Sequence, residues 1–202
     1  MLDDVQPVVG VLLAAGSGAR FGGHKLRAML HGGRDAGVTL GVAAGRNLLH
    51  ALSASIAVVR ADDSRLAADL SAIGLRVVPC TRADEGMGAS LACGVQATSD
   101  AAGWVVALAD MPWIAPATIR AVAQAITSGA DVAAPFHRGK RGHPVGFSRG
   151  RYTDLATLTG DAGAKSIVER AGAALVAIDV EDAGVLRDVD VREDIVPDST
   201  RR

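Results

Sequence analysis

The residues best able to do chemistry come early in the chain. Leu12-Leu13-Ala14-Ala15-Gly16-Ser17-Gly18-Ala19-Arg20-Phe21-Gly22-Gly23-His24-Lys25 passes from an apolar run into a glycine-rich stretch carrying two cations. Glycine permits tight and positive-φ turns, so successive backbone N–H groups can converge on an anion, phosphate oxygens above all. Arg20 and Lys25 add positive charge on either side. Two common phosphate-binding patterns do not fit. The pattern G-x-G-x-x-G needs glycine where Phe21 stands, and G-x-x-x-x-G-K-S/T, which nearly fits Gly18 to Gly23, meets His24 with Lys25 one place late. A glycine-rich connection without a ligand is the plain alternative.

Three further clusters carry chemistry. Glu85-Gly86-Met87-Gly88-Ala89-Ser90-Leu91 precedes a helical pattern, and the free N–H groups of a helix start suit an anion or a polar base edge. Read alone, it is equally a turn with a cap. Ala107-Leu108-Ala109-Asp110-Met111-Pro112 puts a carboxylate at the end of an apolar run. Beside a phosphate loop such a group can hold Mg²⁺, which favours hard oxygen ligands and bridging phosphates; otherwise Asp110 caps a turn before Pro112. Asp188 and Asp190 are two apart, so an extended backbone puts both on one face. They are alternatively part of a solvated acidic segment.

These groups need a scaffold, and the hydrophobic pattern predicts one. Apolar runs at 8–13, 55–59, 75–78, 104–108, 131–134 and 174–180 read as strands buried on both faces. Between them, Leu66, Leu70 and Ile73, Leu91 and Val95, and Ile119, Val122 and Ile126 recur at helical spacing, with Pro116 suited to a first turn. Alternating strands and helices predict an α/β fold: a mostly parallel sheet with helices on both faces. Glycine loops at the carboxyl ends of parallel strands are where such sheets place ligands. Residues 30–46, rich in glycine, read as loop, irregular strand or both, and 197–202 as a frayed end.

Composition narrows the classes further. The length of 202 residues suits one domain spanning 1–202, with core enough to need no disulfide or structural metal. Glycine, at 24 residues, exceeds the usual ~7%, and aromatics are only 3%, so Val, Leu, Ile and Ala must build the core. A net charge of −1 with no basic block argues against nucleic acid or an anionic membrane as partner. Cys80 and Cys93 have neither C-x-x-C spacing nor a histidine pair, which argues against a zinc site or a disulfide scaffold and for apolar core thiols. The acidic start is unlike a signal peptide and no run is long enough to span a membrane, so a soluble cytoplasmic protein is expected.

The run L-A-A-G-x-G-x-R-F-G-G-x-K resembles the signature loop of the nucleotidyltransferases related to molybdenum cofactor cytidylyltransferase and guanylyltransferase, a superfamily that includes sugar-1-phosphate nucleotidylyltransferases. The resemblance implies a Rossmann-like doubly wound sheet whose loop wraps a nucleoside triphosphate. It implies nucleotide binding by Leu13, Ala14, Ala15, Gly16, Gly18, Arg20 and Lys25, with Gly86, Met87, Gly88 and Ser90 beside the base. In that family the aspartate of D-M-P, here Asp110, holds a metal. The family's D-I/V-D-T has Val191 in place of threonine, so the second ligand is Asp190 or Asp188, and Asp190 is favoured. Arg141 and His143 in R-G-H-P, with Asp161 and Lys165 in G-D-x-G-A-K, resemble acceptor-side segments. His143 is equally a structural turn residue, and a cation at Lys165 opposes a helix dipole.

The matches run in the family's order from 8 to 194, and residues 27–46 depart from it. The activity implied by the resemblance is a Mg²⁺-dependent transfer of CMP from CTP to molybdopterin cofactor with release of pyrophosphate. Lys25, Arg20 and Asp110 would be the catalytic residues, and a recipient molybdoenzyme or its chaperone a transient partner. Ala15 points to cytidine, because guanylyl relatives favour L-A-G-G. The alternatives are a guanylyltransferase or sugar-phosphate enzyme of the same fold, or a non-catalytic nucleotide- or cofactor-binding protein.

Overall fold

The computed structural model describes residues 7–18, 21–31 and 35–195. Arg20 and residues 197–202 lie outside the described residues. Strand β1 (Val8–Ala14) is flanked by β2 (Ser55–Arg60) and β4 (Gly103–Leu108), both parallel to it, and β3 (Arg76–Cys80) extends the parallel set beyond β2. The sheet then continues through β7 (Val145–Ser148), antiparallel to β4, to β5 (Val132–His137). The two-residue β6 (Lys140–Arg141) and β8 (Leu175–Asp179) both pair with β5, the latter in parallel. The sheet is mostly parallel and doubly wound, as the alternating pattern predicts.

Strand alternation divides the core. Leu12 and Ala14 pack on one face with Leu40, Leu48, Leu66, Ile119 and Val122. Val11 and Leu13 pack on the other with Leu91, Val95, Trp104, Phe147 and Leu155. The first face carries α1 (Leu40–Ala51), α2 (Ser64–Ala72) and α4 (Pro116–Thr127). The second carries α3 (Met87–Gln96), α5 (Tyr152–Ala156) and α6 (Lys165–Ala171). Truncating a fully buried leucine such as Leu12 or Leu48 costs about 2–5 kcal/mol. Among the described residues no helix is long and apolar enough to cross a membrane.

Three readings of the sequence need correction. Residues from Leu40 onward are helix, not loop or irregular strand. Glycine there marks close packing: a Cβ on Gly45 would stand 2.9 Å from Leu75 and 3.0 Å from Ile73. The strand β7 was hidden inside the segment Pro144-Val145-Gly146-Phe147, too short and glycine-broken to show a period. Cys80 and Cys93 are joined as a disulfide rather than standing as separate thiols, with their Cα atoms 6.1 Å apart. The pairing is tertiary, since α3 returns across the end of β3, and linear spacing carries no sign of it.

Candidate functional site

The site forms where β1 separates β2 from β4, the point at which the sheet's strand order reverses and a crevice opens at the carboxyl ends. Leu13 pairs with Leu108, and Ala109 N–H donates to the Leu13 carbonyl at 3.1 Å, so the glycine loop and Asp110 leave the sheet side by side. The loop folds back on Gly18, whose carbonyl accepts N–H groups of Phe21 at 3.0 Å and Gly23 at 3.1 Å. Gly18 holds φ at +62°, a conformation that favours glycine. A 3-10 turn at Lys25–Arg27 then aims Lys25 inward.

Lys25 Nζ donates to Asp110 Oδ2 at 2.8 Å and lies 3.7 Å from Asp190 Oδ1. Asp190 reaches it because Val189 N–H donates to the Asp110 carbonyl at 3.0 Å while the Val189 side chain is buried in the core. Asp194 fixes the next turn: its Oδ2 accepts from the N–H groups of Asp190 at 3.1 Å and Val191 at 3.0 Å. The Arg192 guanidinium sits 5.1 Å over the Phe21 ring, holding this segment against the glycine loop.

A cavity of about 580 Å³ occupies the crevice. Its walls bring together Leu13, Ala15, Gly16, Gly18, Lys25, Gly86, Met87, Ser90, Asp110, Asp161 and Asp190 from the residues singled out in the sequence. Ala14 lines a smaller neighbour of about 220 Å³ instead. Gly88 is on neither wall; its N–H, expected to be a free helix-start donor, is taken by the Gly160 carbonyl at 2.7 Å. Asp161, read as an acceptor-side residue, comes with Gly160 onto the base-side turn: a Cβ on Gly86 would collide with both residues.

Arg141, His143, Lys165 and Asp188 do not line the cavity. Lys165 is exposed and 3.8 Å from Glu169. Extended spacing predicted Asp188 and Asp190 on one face, but only Asp190 faces Lys25. His143 is tied to the 183–186 turn by its N–H, which donates to the Val185 carbonyl at 2.9 Å, and its Nδ1 is buried without a hydrogen-bond partner. Burial above all holds its pKa below the ordinary value, helped by Arg141 and opposed by Asp110 and Asp188.

Sequence reading missed Arg60 and Asp84, which also line the cavity. Arg60 ends β2 just after an apolar strand, and the rule that singled out the glycine loop, a polar group at the carboxyl end of a parallel strand, would have found it. Asp182 was missed as well: it accepts from Ala115 N–H at 2.8 Å and from Thr118 Oγ1 at 2.7 Å, capping α4 from a distant segment.

The described cavity walls hold two cations, Lys25 and Arg60, against four carboxylates, Asp84, Asp110, Asp161 and Asp190. A polyphosphate entering this excess of negative charge needs a counter-cation. Asp110 Oδ1 is buried without a partner and so keeps an acceptor to offer one. Among the described residues no group of three or more His, Cys, Asp or Glu side chains could hold a metal. A divalent ion held by Asp110 and Asp190 would need further ligands from outside the protein, which suits Mg²⁺.

Residues 10–175 match the MobA-like NTP transferase domain family. Comparison with curated proteins gives no match. Among solved structures, the Rv0371c protein of Mycobacterium tuberculosis H37Rv is 29% identical with a TM-score of 0.79, covering 94% of this chain and 95% of that one. A second structure of that protein is a complex with manganese, at 27% identity, TM-score 0.71, and coverage of 94% and 96%. A nucleotidyl transferase from Methanothermobacter is 25% identical with a TM-score of 0.77, covering 93% and 94%.

Proposed function

Because the chain belongs to the MobA-like NTP transferase family, we propose that this nucleotidyltransferase moves CMP from CTP to the terminal phosphate of molybdopterin cofactor and releases pyrophosphate. The observation that carries the reading is the Lys25 ammonium held between Asp110 and Asp190 on the wall of a cavity rimmed by the glycine loop. A phosphate oxygen of the acceptor attacks the α-phosphorus, and the bond to the β-phosphate oxygen breaks. No general base is needed, since a phosphate monoester with a second pKa of about 6 is largely dianionic at neutral pH. The work left to the protein is alignment and charge neutralisation.

In this reading Gly16 and Gly18 bring backbone N–H groups to the triphosphate, and Lys25, with Arg20, stabilises the departing pyrophosphate. Asp110 and Asp190 would hold Mg²⁺, which when bound neutralises charge on the reacting phosphates. The manganese complex of the Rv0371c protein supports a divalent metal. Ala15, buried on the cavity wall, would narrow the space for the base and favour a pyrimidine. The acceptor would approach from the side of Arg141, His143 and Lys165, with a recipient molybdoenzyme or its chaperone taking the product. Turnover with each of the four nucleoside triphosphates and purified molybdopterin cofactor, followed by pyrophosphate release, tests the reading. Release with GTP alone would make the protein a guanylyltransferase, and release only with a sugar phosphate as acceptor would replace molybdopterin.

A further inference from the structure

Arg60 belongs to no sequence motif, yet it forms part of the wall shared by the two cavities, with Gly16, Ser17, Lys25 and Leu26. The register of β1 and β2 sets Val59 beside Ala14, so Arg60 emerges level with the start of the glycine loop. Its guanidinium is divided between two segments: Nη1 lies 2.8 Å from Asp84 Oδ1, and Nε donates to Asp62 Oδ1 at 3.2 Å. Those carboxylates are 82% and 75% exposed, whereas Arg60 itself is only 24% exposed. Ion pairs with such exposed partners contribute little, because water solvates the carboxylates almost as well. The arginine is thus fixed in place by partners it can exchange at small cost.

We propose that Arg60 is a second phosphate-binding cation of this site, exchanging Asp84 and Asp62 for the oxygens of a nucleoside di- or triphosphate. The proposal rests on the nucleotide reading of the cavity. A polyphosphate arriving at the shared wall can draw Lys25 only by displacing it from Asp110 and Asp190, whereas Arg60 is a cation with weakly held partners. A guanidinium presents a planar fork whose parallel N–H groups match two phosphate oxygens, whereas an ammonium acts as a point charge without that fixed geometry. Asp84 directly precedes the Glu85-Gly86-Met87 turn, so the same exchange releases the base-side turn from β2 as the phosphates bind.

Titration calorimetry of the parent protein, Arg60→Met, Arg60→Lys and Asp84→Ala against CTP, CDP, CMP and cytidine, with the guanosine series beside them, tests this. Arg60→Met should weaken CTP and CDP by ~10–100-fold, the loss expected of a charge-assisted hydrogen bond, while cytidine stays within ~2-fold. Arg60→Lys should recover part of the loss. Asp84→Ala removes the ion pair but keeps the guanidinium, so CTP should bind at least as tightly as to the parent. Equal losses for CTP and cytidine in Arg60→Met would overturn the proposal, as would an Asp84→Ala loss as large as that of Arg60→Met; both would make the pair a brace for the turn. If Lys25→Ala removes the preference for CTP over cytidine and Arg60→Met leaves it intact, the Arg60 assignment alone fails. If the parent binds neither triphosphate better than its nucleoside, the nucleotide reading fails and the proposal with it.

Discussion

Lys25 Nζ stands 2.8 Å from Asp110 Oδ2, with both side chains largely withdrawn from solvent. This lysine is the counter-ion of the carboxylate proposed to hold the metal. An ammonium and a divalent cation repel each other strongly at such range. In the proposed reading nucleotide and metal binding would therefore be linked, because a triphosphate would offer Lys25 an alternative partner.

Replacing Lys25 with methionine should then have opposite effects on two measurements. Mn²⁺ affinity without nucleotide, read from the resonance of the free ion, should rise by ~10-fold or more as a competing cation is removed. Pyrophosphate release should fall by ~10²–10³-fold, the range for losing one preorganised charge-stabilising donor. Unchanged Mn²⁺ affinity would mean that the metal does not compete with Lys25.

The three aspartates separate by the same measurement. Asp110→Ala and Asp190→Ala should each abolish nucleotide-dependent Mn²⁺ binding and turnover, while Asp188→Ala, off the cavity wall, should leave both near the parent values. The Asp110→Ala protein should keep the parent's fold, because the Asp110 carbonyl still accepts from Val189 and Asp190 still lies 3.7 Å from Lys25. Near-normal turnover of Asp110→Ala would remove the metal assignment.

Gly88, the second residue of α3, is where the start of that helix meets the 159–163 segment. A Cβ there would stand 2.6 Å from the Thr159 carbonyl oxygen and 2.9 Å from that of Gly160, so backbone would have to move. Gly88→Ala should cost about 1–3 kcal/mol by overpacking and lower the melting temperature. It should also weaken CTP binding, since Gly86, Met87 and Asp161 share the cavity wall. An unaltered melting temperature would show that the two loops yield easily.

Much of this was legible in the sequence because the relevant signals are local. Val11, Leu12 and Leu13 are buried on opposite sheet faces, and a continuous apolar run reports that directly. Glycines and charges at the end of such a run locate Lys25, and the same logic locates Asp110. What escaped is what depends on tertiary approach. Gly41 and Gly45 resemble helix breakers until α1 is seen pressed against Leu66 and Leu75. Asp161 shares a wall with Gly86 only because the 159–163 loop returns across the sheet. The Cys80–Cys93 bond and the Asp182 cap on α4 likewise join segments whose spacing means nothing in one dimension.

Asp131 supplies a test of pH dependence away from the site. It accepts from Arg151 Nε at 2.9 Å and Ser148 Oγ at 2.7 Å, and these bonds, the Arg151 one first, hold its carboxyl below the ordinary value. A depressed folded-state pKa stabilises the protein above the unfolded value of ~3.9, and that contribution disappears as pH falls through the folded value. The carboxylate is 44% exposed, so its contribution at neutral pH is below about 1 kcal/mol after screening. Asp131→Asn should therefore be slightly less stable at pH 7 and lose less stability than the parent on acidification below pH ~4. Parallel stability curves for the two proteins would show that the bonds do not favour the ionised form.

In the proposed reading base choice would turn on Ala15, which is buried in the cavity wall one residue beyond β1. A purine needs more room than a pyrimidine. A methyl group at this point removes room that glycine would leave and restricts the backbone angles of the loop. Such an element works by rejecting the wrong partner rather than by attracting the right one. CTP should accordingly be used at least ~10-fold better than GTP, roughly 1.4 kcal/mol of transition-state binding. Ala15→Gly should raise GTP turnover and narrow the ratio without reversing it, because Gly86 and Met87 still bound the other side of the cavity. The competing rates, measured with both triphosphates in one reaction, give the ratio directly. Equal use of CTP and GTP by the parent would end the cytidylyl assignment and leave the nucleotidyltransferase assignment standing, since in the proposed reading Lys25, Asp110 and the glycine loop would act on phosphate and not on the base.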